Sequence, residues 1–155
     1  MSTPVKPIPD GYHAVTPYLI VGDAARALEF YKTVFGGTEI LRMPSPGGKI
    51  GHAEMQIGSS KIMLADEHPE MGARGPKAFG GSPISIHLYV EDVDAVYSRA
   101  ITAGATEKAA VKDQFYGDRS GTVTDPFGHT WHISTHKEDL SPEEIAKRAA
   151  ALHGQ

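Results

Sequence analysis

An α+β fold built from two βαβββ modules is what this 155-residue sequence predicts, and three observations predict it. Strand-like and helix-like runs succeed one another in the order βαβββ, and then do so again. The second half lies over the first at a nearly constant offset. A Gly- and Pro-rich stretch without apolar period separates the two.

Residues 1–11 are Pro-rich and read as an extended arm. "AVTPYLIV" (14–21) is a β-type run in which Pro17 suggests an edge position or the start of pairing. "DAARALEFYKTVFGG" (23–37) is helical: Asp23 can cap it, Ala27, Phe30, Tyr31 and Val34 recur at helical spacing, and Gly36-Gly37 ends it. "TEILRMP", "KIGHAEMQIG" and "SKIMLAD" then read as three strands joined by tight turns. The first module is thus expected over 12–66, and 67–83 as a linker. "ISIHLYV" (84–90) starts a second module, 84–139, with a helix over 91–105 and three strand-like pieces, "TEKAAVKDQFY", "DRSGTVTDPFG" and "HTWHISTH". Residues 140–155 hold a C-terminal helix, with Ser141 as N-cap, Pro142 in the first position and Glu144 completing a capping box.

The repeat stands on particular residues. At an offset of 69, Leu19 and Val21 fall on Leu88 and Val90, and "SKIMLAD" falls on "HTWHIST". At 68, Ala27, Gly36, Thr38 and Glu39 fall on Ala95, Gly104, Thr106 and Glu107.

Composition excludes several classes. The chain has no cysteine, so it has neither a disulfide framework nor a thiolate metal or redox site. Any metal would need His, Asp or Glu, which suits zinc, iron, manganese or nickel. A net charge of −4 gives no footprint for nucleic acid. No apolar run is long enough for a membrane span, and "MSTPVKPIPDGYH" lacks the apolar core of a signal peptide, so a soluble cytoplasmic protein is expected.

"YLIVGDAARALEFYKTVFGG" and "DPFGHTWHI" are similar to the opening strand–helix and the closing hairpin of the vicinal oxygen chelate superfamily. That group holds glyoxalase I, extradiol dioxygenases, fosfomycin-resistance transferases and bleomycin-resistance proteins. Within it, "AEMQIGSSKIMLAD", "YVEDVDAV", "DQFYGDRSG" and "DPFGHTWHISTHKED" resemble the PhnB-like branch, and the resemblance covers about residues 12–139. It implies that each module curls into an open, mixed, mostly antiparallel barrel, and that modules pair within or between chains, so a homodimer is expected. It also implies a divalent metal held by inward side chains of first and last strands, acting as a Lewis acid.

Mapped by motif, those ligand positions fall on Thr16, Met63, Ser85 and His132, of which His132 alone is a good ligand for such a metal. Period-2 alternation puts Thr16 and Tyr18 on one face, Ser85, His87 and Tyr89 on the matching one, and His52 and Glu54 together on a third strand. His52, Glu54, His87 and His132 are therefore a candidate replacement metal set, with Glu54 and His132 as catalytic candidates. Phe115 and Tyr116 are candidate pocket walls. Arg119 reads either as a clamp for a carboxylate or phosphate or as the partner of Asp118 in a turn. Trp131, alternating with His132, is expected to face the helices.

The clustered histidines of "DPFGHTWHISTH" do not make one site: His132 and His136 share a face but stand roughly 13 Å apart, and His129 points away. Loss of most ligand positions favours a protein that binds a small molecule in the barrel cavity, without the full metal site. A metal-dependent lyase, isomerase or dioxygenase rebuilt around His132 is the rival reading. A structural or regulatory relative without small-molecule chemistry is the third.

Overall fold

The computed structural model describes residues 3–154. The chain divides into two compact units, one running to Gly81 and one beginning at Ser82.

In the first unit the order is β1 (Tyr18–Val21), α1 (Ala24–Phe35), β2 (Thr38–Ser45), β3 (Lys49–Ile57) and β4 (Ser60–Asp66). Its sheet runs β1-β4-β3-β2, with β1 parallel to β4 and the other pairs antiparallel. In the second, β5 (Ser85–Tyr89), α2 (Val93–Thr102), β6 (Thr106–Asp113), β7 (Asp118–Thr124) and β8 (Thr130–His136) repeat this as β5-β8-β7-β6, again with one parallel pair. Both sheets are open and mixed. α3 (Pro142–Leu152) follows the second sheet.

Alternation decides which face is covered. Leu19 and Val21 of β1, Ala53, Met55 and Ile57 of β3, and Ile62 and Leu64 of β4 are buried. They meet the apolar stripe Ala27, Leu28, Tyr31 and Val34 of α1. In the second unit Val123, Trp131 and Ile133 pack with Val93, Val96, Tyr97 and Ala100 of α2. Trp131 is 1% exposed, on the helix side as expected, and its indole N–H donates to Asp125. Gly121 is required under α2, because a Cβ there would stand 2.7 Å from Val111 and 2.9 Å from the Tyr97 ring.

The two helices begin alike. Asp23 accepts from Arg26 N, and Asp92 from Ala95 N. The first helical N–H is then taken by the last residues of the module's final strand: Ala24 N donates to Asp66, and Val93 N to Thr135. Gly36 closes α1 in the left-handed region at φ 69°.

Two sequence expectations need correction. The first strand begins at Tyr18, not residue 14, so Thr16 precedes it. Pro17 has no N–H to pair, and only its carbonyl joins the ladder, accepting from Met63 N. At α3, Ser141 caps Glu144 N as expected, but the Glu144 carboxylate accepts from Arg148 rather than turning back to complete the box. Among the described residues no helix is long and apolar enough to cross a membrane.

Candidate functional site

The face of each sheet turned away from its helix carries the polar side chains. In the first module Tyr18, Met63 and Glu54 form one row across β1, β4 and β3. His52 lies two residues before Glu54 on the same face. Tyr18 Oη lies 2.8 Å from His52 Nδ1, and His52 Nε2 lies 2.8 Å from Glu54 Oε2. A carboxylate can only accept, so the proton of neutral His52 is assigned to Nε2. Nδ1 is then the acceptor, and Tyr18 donates to it. His52 and Glu54 side chains are 23% and 15% exposed, whereas Tyr18 is 48% exposed. The chain thus runs from a sheltered carboxylate to a tyrosine whose residue is half exposed. Burial holds the Tyr18 phenol above its ordinary range.

Tyr18 is also part of a cavity of about 520 Å³, lined mainly by apolar groups of Ile20, Ile50, Ala65 and Met71 with Lys49, Asp66 and His68. Both oxygens of Asp66 are engaged, by Ala24 N and Ile50 N at 2.7 Å each. His68 Nδ1 is buried without a hydrogen bond; Glu70 Oε1 stands 3.2 Å away, at ion-pair distance but outside hydrogen-bond geometry. Lys49 forms no ion pair among the described residues.

In the second module Ser85 and His132, both mapped as ligand positions, meet directly: Ser85 Oγ is 3.0 Å from His132 Nε2. Thr122 Oγ1 is 2.8 Å from His132 Nδ1. The His87 ring lies 4.8 Å from Tyr89 and 5.9 Å from His132, centroid to centroid. Burial, then His87 and Lys108, hold His132 below the usual imidazole range.

Tyr89 and Arg119 have structural partners. Tyr89 donates to Asp118, which is 4% exposed and also meets His136 Nδ1 at 2.7 Å. His136 reaches Asp139 through its other nitrogen, and these two acids raise it above the ordinary range. Arg119 does not pair with Asp118. Its fork holds both oxygens of Asp94 on α2, and the third nitrogen reaches Asp113 on β6. Through these bonds it ties β7 to α2 and β6. Phe115 and Tyr116 pack edge to face at 5.2 Å in the turn after β6, and the Phe115 carbonyl accepts from Arg148 of α3.

The donor set does not fit a divalent metal. Thr16, Met63 and Ser85 are poor ligands at the mapped positions. Two of the replacement candidates are committed elsewhere: His52 Nδ1 is an acceptor for Tyr18, and both nitrogens of His132 are in hydrogen bonds to hydroxyls. Within either module, among the described residues, no group of three or more His, Asp or Glu side chains is arranged to hold one.

Lys49, Asp66, His68 and Met71 were not legible as site residues. His68 and Met71 fall in the Gly- and Pro-rich 67–83 segment, whose 3-10 turn at Pro69–Met71 and His68–Ala73 bridge form one wall of the cavity.

The sequence model of the Glyoxalase/Bleomycin resistance protein/Dioxygenase superfamily matches residues 12–133. The uncharacterized protein Rv0887c of Mycobacterium tuberculosis is 44% identical over 135 residues, 85% of this chain and 79% of that one. Among solved structures, protein PA1353 from Pseudomonas aeruginosa superposes with a TM-score of 0.64 at 29% identity, covering 80% of this chain and 98% of its own. A PhnB protein from Bacillus cereus shares the fold with a TM-score of 0.62 at 16% identity, over 79% of this chain and 99% of that one. Two βαβββ modules of one topology, joined to this match over most of the sequence, make the chain a member of the glyoxalase/bleomycin resistance protein/dioxygenase superfamily.

Proposed function

We propose that the protein binds a small organic molecule in the cavity of its first module, without using a family-type metal centre. One observation carries the reading: a concave space of about 520 Å³ with mainly apolar walls and few polar residues, Tyr18 and Lys49 among them. That is the size and composition of a small-ligand site. Ile20, Ile50 and Met71 offer apolar area, worth about 25 cal/mol for each Å² a ligand removes from water. The ligand is therefore sought by its physical fit to these walls.

The test is a thermal-shift panel of compact aromatic and aliphatic compounds on the full chain. A ligand at 100 times its Kd adds about 2.7 kcal/mol to stability and raises Tm accordingly. Ala73→Phe, which fills the cavity from its lining, is expected to abolish the rise. A panel in which no compound raises Tm, or in which Ala73→Phe leaves every rise intact, would refute the cavity as the binding site.

A further inference from the structure

We propose that Tyr18, backed by His52 and Glu54, takes up the proton of a weakly acidic hydroxyl, such as a phenol, on the ligand in the first module's cavity. The inference rests on reading that cavity as a ligand site. It follows from the direction of the hydrogen-bonded chain. Glu54 accepts from His52 Nε2 at 2.8 Å, and His52 Nδ1 accepts from Tyr18 at 2.8 Å. The Tyr18 proton is therefore held by His52, and a ligand that reaches this hydroxyl from the cavity Tyr18 lines meets the lone pairs of its oxygen. An ether or ketone oxygen placed there finds no donor; an O–H finds an acceptor.

Proton movement along this chain balances. The ligand O–H bond breaks as its proton bonds to Tyr18 Oη. The proton that Tyr18 held moves to His52 Nδ1, and His52, keeping its Nε2 proton, becomes an imidazolium beside the Glu54 carboxylate. The ligand is left as an oxyanion, Tyr18 is neutral before and after, and nothing is oxidised or reduced. Two further features fit this direction. Burial raises the Tyr18 phenol, so the hydroxyl passes protons without resting as a phenolate. Lys49 lines the same cavity and has no acidic partner among the described residues, so its ammonium is free to face the oxyanion. His52 and Glu54 act through Tyr18 as positioning residues.

The probe is 4-nitrophenol, whose phenolate absorbs in the visible, set against 4-nitroanisole, which has the same ring and no acidic proton. Each is titrated into the full chain by calorimetry, and the ionisation of bound 4-nitrophenol is read by absorbance across pH. The expected result is that both bind and that the bound phenol has its pKa lowered by about one unit, tenfold in acidity. Tyr18→Phe and Glu54→Gln are expected to bind both probes with that shift lost. Binding of both probes without the shift, or a shift that persists in Tyr18→Phe, would overturn proton uptake and leave the cavity a ligand site. Failure of both probes to bind would overturn the two readings together. Should Tyr18→Phe lose its circular dichroism signature, Glu54→Gln carries the test from the other end of the chain.

Discussion

At the start of each helix the two modules are built alike; on the open face of each sheet they are not. Asp23 and Asp92 cap their helices, and Asp66 and Thr135, 69 residues apart, each accept the first helical N–H. On the open face the row Tyr18, Met63, Glu54 of the first module becomes His87, His132, Thr122 in the second. A carboxylate stands where the repeat has a hydroxyl, and the consequence is directional. Glu54 can only accept, so it orients His52 and through it Tyr18. Thr122 and Ser85 can both donate or accept, so nothing fixes which nitrogen of His132 carries its proton. A serine, Ser120, holds the place of His52 and bonds to the buried Ser134. Duplicated scaffolds keep the devices that join helix to sheet and diverge where the side chains face outward.

The comparison can be pressed at matched positions. The largest effect is expected in the cores. Trp131→Ala should cost about 3–5 kcal/mol and Ile62→Ala, its counterpart, about 2–4 kcal/mol in urea denaturation. The tryptophan change also removes the indole N–H that donates to Asp125. Equal losses would mean that the second module relaxes around the cavity. Next come the shared ties. Thr135→Val leaves the buried Val93 N–H unsatisfied and should cost about 2 kcal/mol. Asp66→Thr keeps one of two bonds and should cost about 1 kcal/mol, by the same measurement.

Smaller still, and without any mutation, is the protonation pattern. Imidazole nitrogen shifts should show neutral His52 with its proton on Nε2, while His132 samples both tautomers; a mixed signal from His52 would remove the direction assigned to the chain. The slightest expected effect is a split on one strand. His136, raised by Asp118 and Asp139, gives stability fully present below the unfolded histidine value near about 6.5 and lost as pH rises through its folded value. His132, lowered mainly by burial, gives stability present above about 6.5 and lost as pH falls through its folded value. The urea midpoints of His136→Gln and His132→Gln should therefore depart from the parent chain with opposite pH slopes.

Much of this architecture is written in the order of residues. Burial follows period 2 along β3 and β4, so Ala53, Met55, Ile62 and Leu64 are told from His52, Glu54 and Met63 by sequence alternation alone. The members of the relay were legible singly and not as a relay. Tyr18 sits on β1 and His52 on β3, with β4 between them, and a ring reaching over an intervening strand leaves no trace in local periodicity. Arg119 illustrates the same loss. Its neighbour Asp118 looked like its partner, but strand alternation sends adjacent side chains to opposite faces, and the acid that holds it is on α2, 25 residues earlier. The cavity wall was hidden for a different reason: a segment rich in glycine and proline carries no period to read, although His68 and Met71 shape the space that Tyr18 faces.

Asp66 deserves a last consequence. It lines the cavity, yet its two oxygens are spent on the amides that start α1 and enter β3. A molecule settling against it therefore presses on two main-chain N–H groups whose opening is measurable one residue at a time. If the proposed ligand binds there, slowed deuterium uptake at Ala24 and Ile50 is the expected gauge of occupancy, by which a metabolite in a cell extract would be followed to this site before it has been identified.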